Sequence, residues 1–168
     1  MSSVHDGKYL PSKEAVLAAC RGFPLPGNLL LDSARELAVL YESHTNLFLG
    51  VDDIIERNRY HELGRIMDWA VLIDTVVCVR RDQLVASIDE WVELVVPAAK
   101  PTAPIHVETV GRVVDRLALL TVRSYIALAN EPVRVARAVH AELYIEAAAY
   151  GDLANLLSVG LKRLPSNY

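Results

Sequence analysis

Apolar residues recur along this chain at three- and four-residue spacings, and strand-like alternation is nearly absent, so the sequence reads as helices throughout. Ser12 to Cys20 is predicted as a short first helix, with Ser12 as N-cap and Glu14 in the first turn. Arg21 to Asn28, carrying two glycines and two prolines, is a loop. A second helix is expected over Leu29 to Ser43 and a third over Asp52 to Leu63, with Gly50 and Gly64 as breaks. The longest element runs from Arg65 to Val96, where Pro97 stops it. Its seam reads Ile66, Ala70, Ile73, Val77, Arg80, Leu84, Ile88, Trp91 and Val95. A proline-rich linker over 97–107 lets the next helix turn back antiparallel. That helix starts with Thr109 as N-cap and ends near Asn130. Pro132 to Tyr150 and Asp152 to Leu164 form a last pair, or one kinked helix, around Gly151. The expected fold is all-α, an antiparallel helical bundle of five to seven helices in a single domain over 1–168, with residues 1–11 flexible.

Composition narrows the classes of function. The 168 residues are 52% hydrophobic, which suits one compact soluble domain, and the net charge is −4 with basic residues scattered. Nucleic-acid binding is not expected, because phosphate recognition needs a concentrated cationic face. No stretch approaches the roughly 20 apolar residues that span a bilayer, so no membrane contact is expected. Met1 to Lys13 is polar and holds no apolar core of a signal peptide, which makes the cytoplasm the default location. The two cysteines, Cys20 and Cys78, form neither a disulfide framework nor a C-x-x-C pair and are read as buried small hydrophobes.

The informative anomaly is charge lodged in apolar rows. Arg80 occupies a seam position between Val77 and Leu84. Asp74 is the lone acid in the row Met67, Val71, Cys78, Val85. Asp115 leads the row Leu119, Val122, Ile126, and Glu108 sits just before a helix start, where exposed N–H groups favour an anion. An inward arginine demands a carboxylate, so a buried ionic cluster is predicted in which Arg80 meets Asp115, Glu108 or Asp74. Such a cluster is either a network that fixes helix register or the floor of a ligand pocket. A second polar group comprises Glu42, His44, Asn46, Asp52, Asp53, Glu56 and His61, an acid pair with a histidine nearby that suits acid and base work or simply a solvated helix start. Arg112, Arg116 and Arg123 share one side of their helix. His5, His106 and His140 have no partner at useful spacing. No metal site or cofactor is expected: the Glu-x-x-His pairs of di-iron bundles, zinc motifs, a nucleophile elbow and a phosphate-cradling glycine loop are all missing from the sequence.

The run from Glu108 to Leu120, Glu-Thr-Val-Gly-Arg-Val-Val-Asp-Arg-Leu-Ala-Leu-Leu, resembles the E-T-P-G-x-x-x-D-R-L-S-x-L signature of a bacterial all-helical family of unknown function. His44 to Asp53 is similar to that family's H-x-x-N-x-x-L-W-H-x-E-D stretch, and Ile73-Asp74 with Arg80-Arg81-Asp82 to its I-D…R-N-D helix. Val110 stands for the family's proline, Gly50 and Val51 for its tryptophan and histidine, and Arg81 for its asparagine. The resemblance marks the chain as a divergent member and gathers the residues already singled out.

The leading expectation is a small metal-free bacterial enzyme of lyase, isomerase or cyclase type. Glu108, Asp115 and Asp53 would move protons, while Arg80, Arg116, Asn46, His44, Asp74 and Thr109 would hold a small-molecule metabolite. The competing expectation is a non-catalytic helical scaffold or partner-binding protein, a homodimer in which the same charges lock the bundle and Trp69, Trp91 and Tyr150 supply a subunit interface.

Overall fold

The computed structural model describes residues 9–56 and 60–165, with side chains over 9–46 and 71–165. Five helices and no strand make up the regular structure among the described residues: α1 (Lys13–Cys20), α2 (Leu29–Glu56), α3 (Tyr60–Val95), α4 (Val110–Asn130) and α5 (Val133–Ser158). The starts follow local chemistry. The Ser12 hydroxyl accepts the Ala15 N–H, Asn28 Oδ1 accepts the Leu31 N–H, and the Thr109 hydroxyl accepts the Arg112 N–H, each relieving an unpaired donor of a first turn.

The ends correct several expectations. Gly50, Gly64 and Gly151 break nothing, because α2, α3 and α5 run through them. A glycine inside a helix costs only about 1 kcal/mol relative to alanine, which intact hydrogen bonds on both sides outweigh. The glycines that do stop helices sit in the left-handed region: Gly22 at φ 79° after α1 and Gly160 at φ 68° after α5. After α5 the Gly160 N–H donates to the Leu157 carbonyl and the Leu161 N–H to that of Leu156, which ends the helix at Ser158 rather than near Leu164.

Polar contacts fix the register of neighbouring helices. Along α2 and α3, Glu36 meets Arg80 while His44 meets Asp74, so the two run antiparallel. Asp89 reaches Gly111 while Arg81 reaches Asp115, which sets α4 antiparallel to α3. Arg116 meets Glu146 while Ser124 meets His140, doing the same for α5 on α4. Helix α4 packs against all four others, with α1 lying across α2, α4 and α5. The core between them includes Leu30, Leu37, Ile88, Leu117, Leu143 and Leu157. The connection from α3 to α4 is held by the segment after α5, where the Arg163 N–H donates to Pro104 and Arg163 Nε to the Ala103 carbonyl.

Burial separates the expected inward residues. Val77, Leu84 and Ile88 of the α3 seam are buried, but Arg80 between them is exposed. Cys20 is buried, with its thiol pushed up to about 12 by burial, whereas Cys78 is exposed. Tyr150, expected at a subunit surface, is 1% exposed and donates its hydroxyl to the Pro11 carbonyl. Trp91 is half-buried, and the side chain of Trp69 lies outside the described residues.

Helix α4 approaches α3 tightly at Gly111. A Cβ there would collide with the Val85 carbonyl and sit 2.9 Å from Asp89 Oδ1. Gly111→Ala is therefore expected to cost about 1–3 kcal/mol in urea unfolding. Gly27→Ala, with nothing within 4 Å of its Cβ, should change stability far less. Equal losses at the two positions would contradict this packing.

Candidate functional site

The start of α4 is where most of the singled-out residues meet structure. Asp89, buried on α3, accepts the Gly111 N–H at 2.7 Å and so caps α4 from a neighbouring helix. Burial raises its carboxyl above the usual value, against the pull of that N–H. Thr109 supplies the second cap and lines, with Asp82, Asp89, Glu93 and Arg112, an open groove of about 490 Å³.

One turn further, Asp115 does point inward, as expected, and is 8% exposed. Its partner is not Arg80. The Tyr41 hydroxyl from α2 donates to Asp115 Oδ1 at 2.8 Å, and Arg81 Nε from α3 approaches Oδ2 at 3.6 Å, a Coulombic contact too long for a hydrogen bond. That Arg81 N–H has no hydrogen-bond partner among the described residues. Burial and then the adjacent carboxylate push the Tyr41 hydroxyl well above the ordinary phenol value, so it stays protonated and donating. Three helices thus meet at one carboxylate.

Arg80 lies one residue away and turns outward, its side chain 46% exposed, with Nε at 2.6 Å and Nη2 at 3.0 Å from the two oxygens of Glu36. A long side chain with a carboxylate available at the surface has no reason to carry its charge inside. Close by on the same helix pair, His44 Nε2 lies 2.8 Å from Asp74 Oδ1, with both side chains partly exposed.

A third set forms on the other side of α4. Glu108 and Arg116 make a two-pronged pair at 2.8 and 2.6 Å, and Arg116 also reaches Glu146 of α5 at 2.8 Å. The guanidinium holds the Glu108 carboxyl below its usual value, and the two acids together raise that of Arg116. Arg112 and Arg123, the rest of the expected cationic strip, face solvent.

The predicted single cluster is therefore three separate sets: Glu36–Arg80 with His44–Asp74, Tyr41–Arg81–Asp115, and Glu108–Arg116–Glu146. Asn46 belongs to none of them and lines a groove of about 350 Å³ with Cys20, Arg35, Ala38, Glu42 and Tyr125. The side chain of Asp53 lies outside the described residues. Sequence reasoning missed Tyr41, Arg81, Asp89 and Glu146. For Asp89 a signal existed, since it follows Val85 by one turn on a buried row. His140 was given no partner, yet its Nδ1 lies 3.0 Å from the buried Ser124 hydroxyl. Among the described residues no three His, Cys, Asp or Glu side chains gather so as to hold a metal ion, and no helix is long and apolar enough to cross a membrane.

A family model described as Protein of unknown function (DUF4254) matches residues 38–150. The chain belongs to this family. No curated protein and no solved structure matches the chain at a significant level. The DUF4254 span begins in α2 just before Tyr41 and closes after Glu146, so it takes in the Tyr41–Arg81–Asp115 and Glu108–Arg116–Glu146 sets and leaves out α1.

Two outcomes follow from this geometry. Asp115→Ala leaves the Tyr41 hydroxyl without its acceptor and Arg81 without the opposite charge beside it, and should cost about 2–3 kcal/mol in denaturant unfolding, while Arg80→Ala leaves the midpoint near wild type; the reverse order would refute the assignment. Because Glu108 has a lowered carboxyl value, its contribution is complete above the unfolded value near 4.5 and is lost as pH falls through the lower folded one. Glu108→Gln should flatten the acid side of the melting-temperature profile, and an unchanged acid limb would count against the pair.

Proposed function

We propose that this protein is a non-catalytic helical scaffold that works through its folded surfaces as a homodimer, with its charged side chains committed to holding helices in register. The observation that carries this reading is that the candidate acids and arginines are engaged by other side chains of the fold. Glu108 is held by both terminal nitrogens of Arg116, Asp115 by the Tyr41 hydroxyl with Arg81 beside it, Arg80 by both oxygens of Glu36. An acid or base that acts on a substrate needs a face open to that substrate and a partner that yields when it binds. Here the donors and acceptors come from the fold itself.

The surface of α3 supports the same reading. Between Val71 and Arg80 only Val77 is buried, while Val71, Leu72, Val76 and Val79 are each more than half exposed. Apolar side chains contiguous on one helix surface mark a place of contact more than a place of catalysis.

A second reading has one observation in its favour. The groove beside Asn46 has an apolar floor of Ala38, Val122 and Ile126 and a polar rim of Arg35, Asn46 and Tyr125, the composition of a small-molecule site. A metabolite-binding lyase, isomerase or cyclase would use it, with Asn46 and Arg35 as binding groups.

Unfolding and thermal-shift measurements on one set of variants separate the two. The scaffold reading expects Glu108→Gln and Glu146→Gln to lower the unfolding midpoint and leave the oligomeric mass unchanged. A metabolite that raises the melting temperature of the wild type, with the shift abolished in Arg35→Ala at unchanged stability, would overturn it in favour of the second.

A further inference from the structure

Helix α5 turns a regular seam away from the rest of the chain. Arg134, Ala138, Ala141, Ile145, Ala148 and Asp152 follow one another at alternating steps of four and three, the heptad spacing of a helix that packs lengthwise on another helix, and all six are exposed. Ile145, at the middle, is 71% exposed. The opposite side of α5, with Leu143, Ala147, Tyr150 and Leu157, is buried against the core. Helices α1 and α4 are the neighbours of α5, and neither covers the seam.

The ends of the seam carry opposite charges. Arg134 lies in the first turn and Asp152 about 27 Å along the axis, and neither has an ion-pair partner among the described residues. Arg134, in the first turn, also runs against the helix dipole, which favours acids at the start of a helix. Local helix stability therefore does not account for them. A second, oppositely directed helix does.

We propose that α5 pairs antiparallel with α5 of a second copy of this chain, about a two-fold axis that crosses the seam midway between Ala141 and Ile145. In this register Arg134 faces the partner's Asp152 at both ends, Ala138 faces the partner's Ala148, and Ile145 faces the partner's Ala141. The alanines let the two axes come close, and each Ile145 fills the space left by a small residue opposite. A parallel pairing would instead set Arg134 against its own copy. The pattern thus selects one partner and one direction. The inference rests on the homodimeric reading above and gives it a surface.

Analytical ultracentrifugation of the full chain tests it. The wild type is expected to dimerise, with Ile145→Asp, Arg134→Glu and Asp152→Arg each raising the dissociation constant roughly tenfold or more. The double variant Arg134→Glu with Asp152→Arg should restore wild-type affinity, since opposite charges again meet at both ends. All three substitutions are at exposed positions, and an unchanged circular dichroism spectrum shows that folding is intact. A dimer indifferent to Ile145→Asp, or one that the double reversal fails to rescue, overturns this interface while leaving a homodimer by another surface standing. A wild type that stays monomeric at high concentration overturns the interface and the homodimer together, without touching the evidence that the charges hold the fold.

Discussion

Helix α4 touches every other helix, so each polar group on its inner side needs a partner from a neighbour or from its own backbone. That constraint organises the structure. Asp115 takes the Tyr41 hydroxyl of α2 and the approach of Arg81 from α3; Thr121 donates to the Leu117 carbonyl one turn back; Ser124 meets His140 of α5. An apolar α4 would pack with comparable burial and far less definition of register. With these groups in place, sliding α2, α3 or α5 by one residue separates a polar group of α4 from its partner, at a cost of about 1–3 kcal/mol.

The same reasoning gives the segment from Glu108 to Arg116 a physical content. Thr109 caps the helix, Gly111 lets α3 come within contact of its backbone, Asp89 reaches across to that glycine, Asp115 turns inward and Arg116 ties the helix start to α5. Four of these nine positions, together with Asp89 of α3, serve one purpose, the seating of a helix start against α2, α3 and α5. A motif this dense resembles a catalytic signature when seen only as letters. In space its groups face one another.

Much of the fold was legible, and the failures have physical causes. Helix-starting residues such as Ser12 and Thr109 act within three residues of themselves, so their spacing alone places them. Gly50, Gly64 and Gly151 misled because a weak local preference was weighed without the cooperativity that carries a helix through it. The inward turn of Asp115 is legible from its apolar row, but steps of three and four after Val77 admit either Arg80 or Arg81 as the inward arginine. The row that continues through Leu84, Val85 and Ile88 turns Arg81 toward α4 and leaves Arg80 beside Glu36. Partners such as Tyr41 and Glu146 come from other helices, tens of residues away, and no periodicity within one helix points to them.

Asp115 is the joint at which α2, α3 and α4 are held together. A double-mutant cycle between Tyr41→Phe and Asp115→Ala, read by urea unfolding, tests it most directly. A coupling of about 1 kcal/mol or more is predicted, since either change alone removes the shared hydrogen bond. Strictly additive losses, with both variants near wild-type stability, would contradict it.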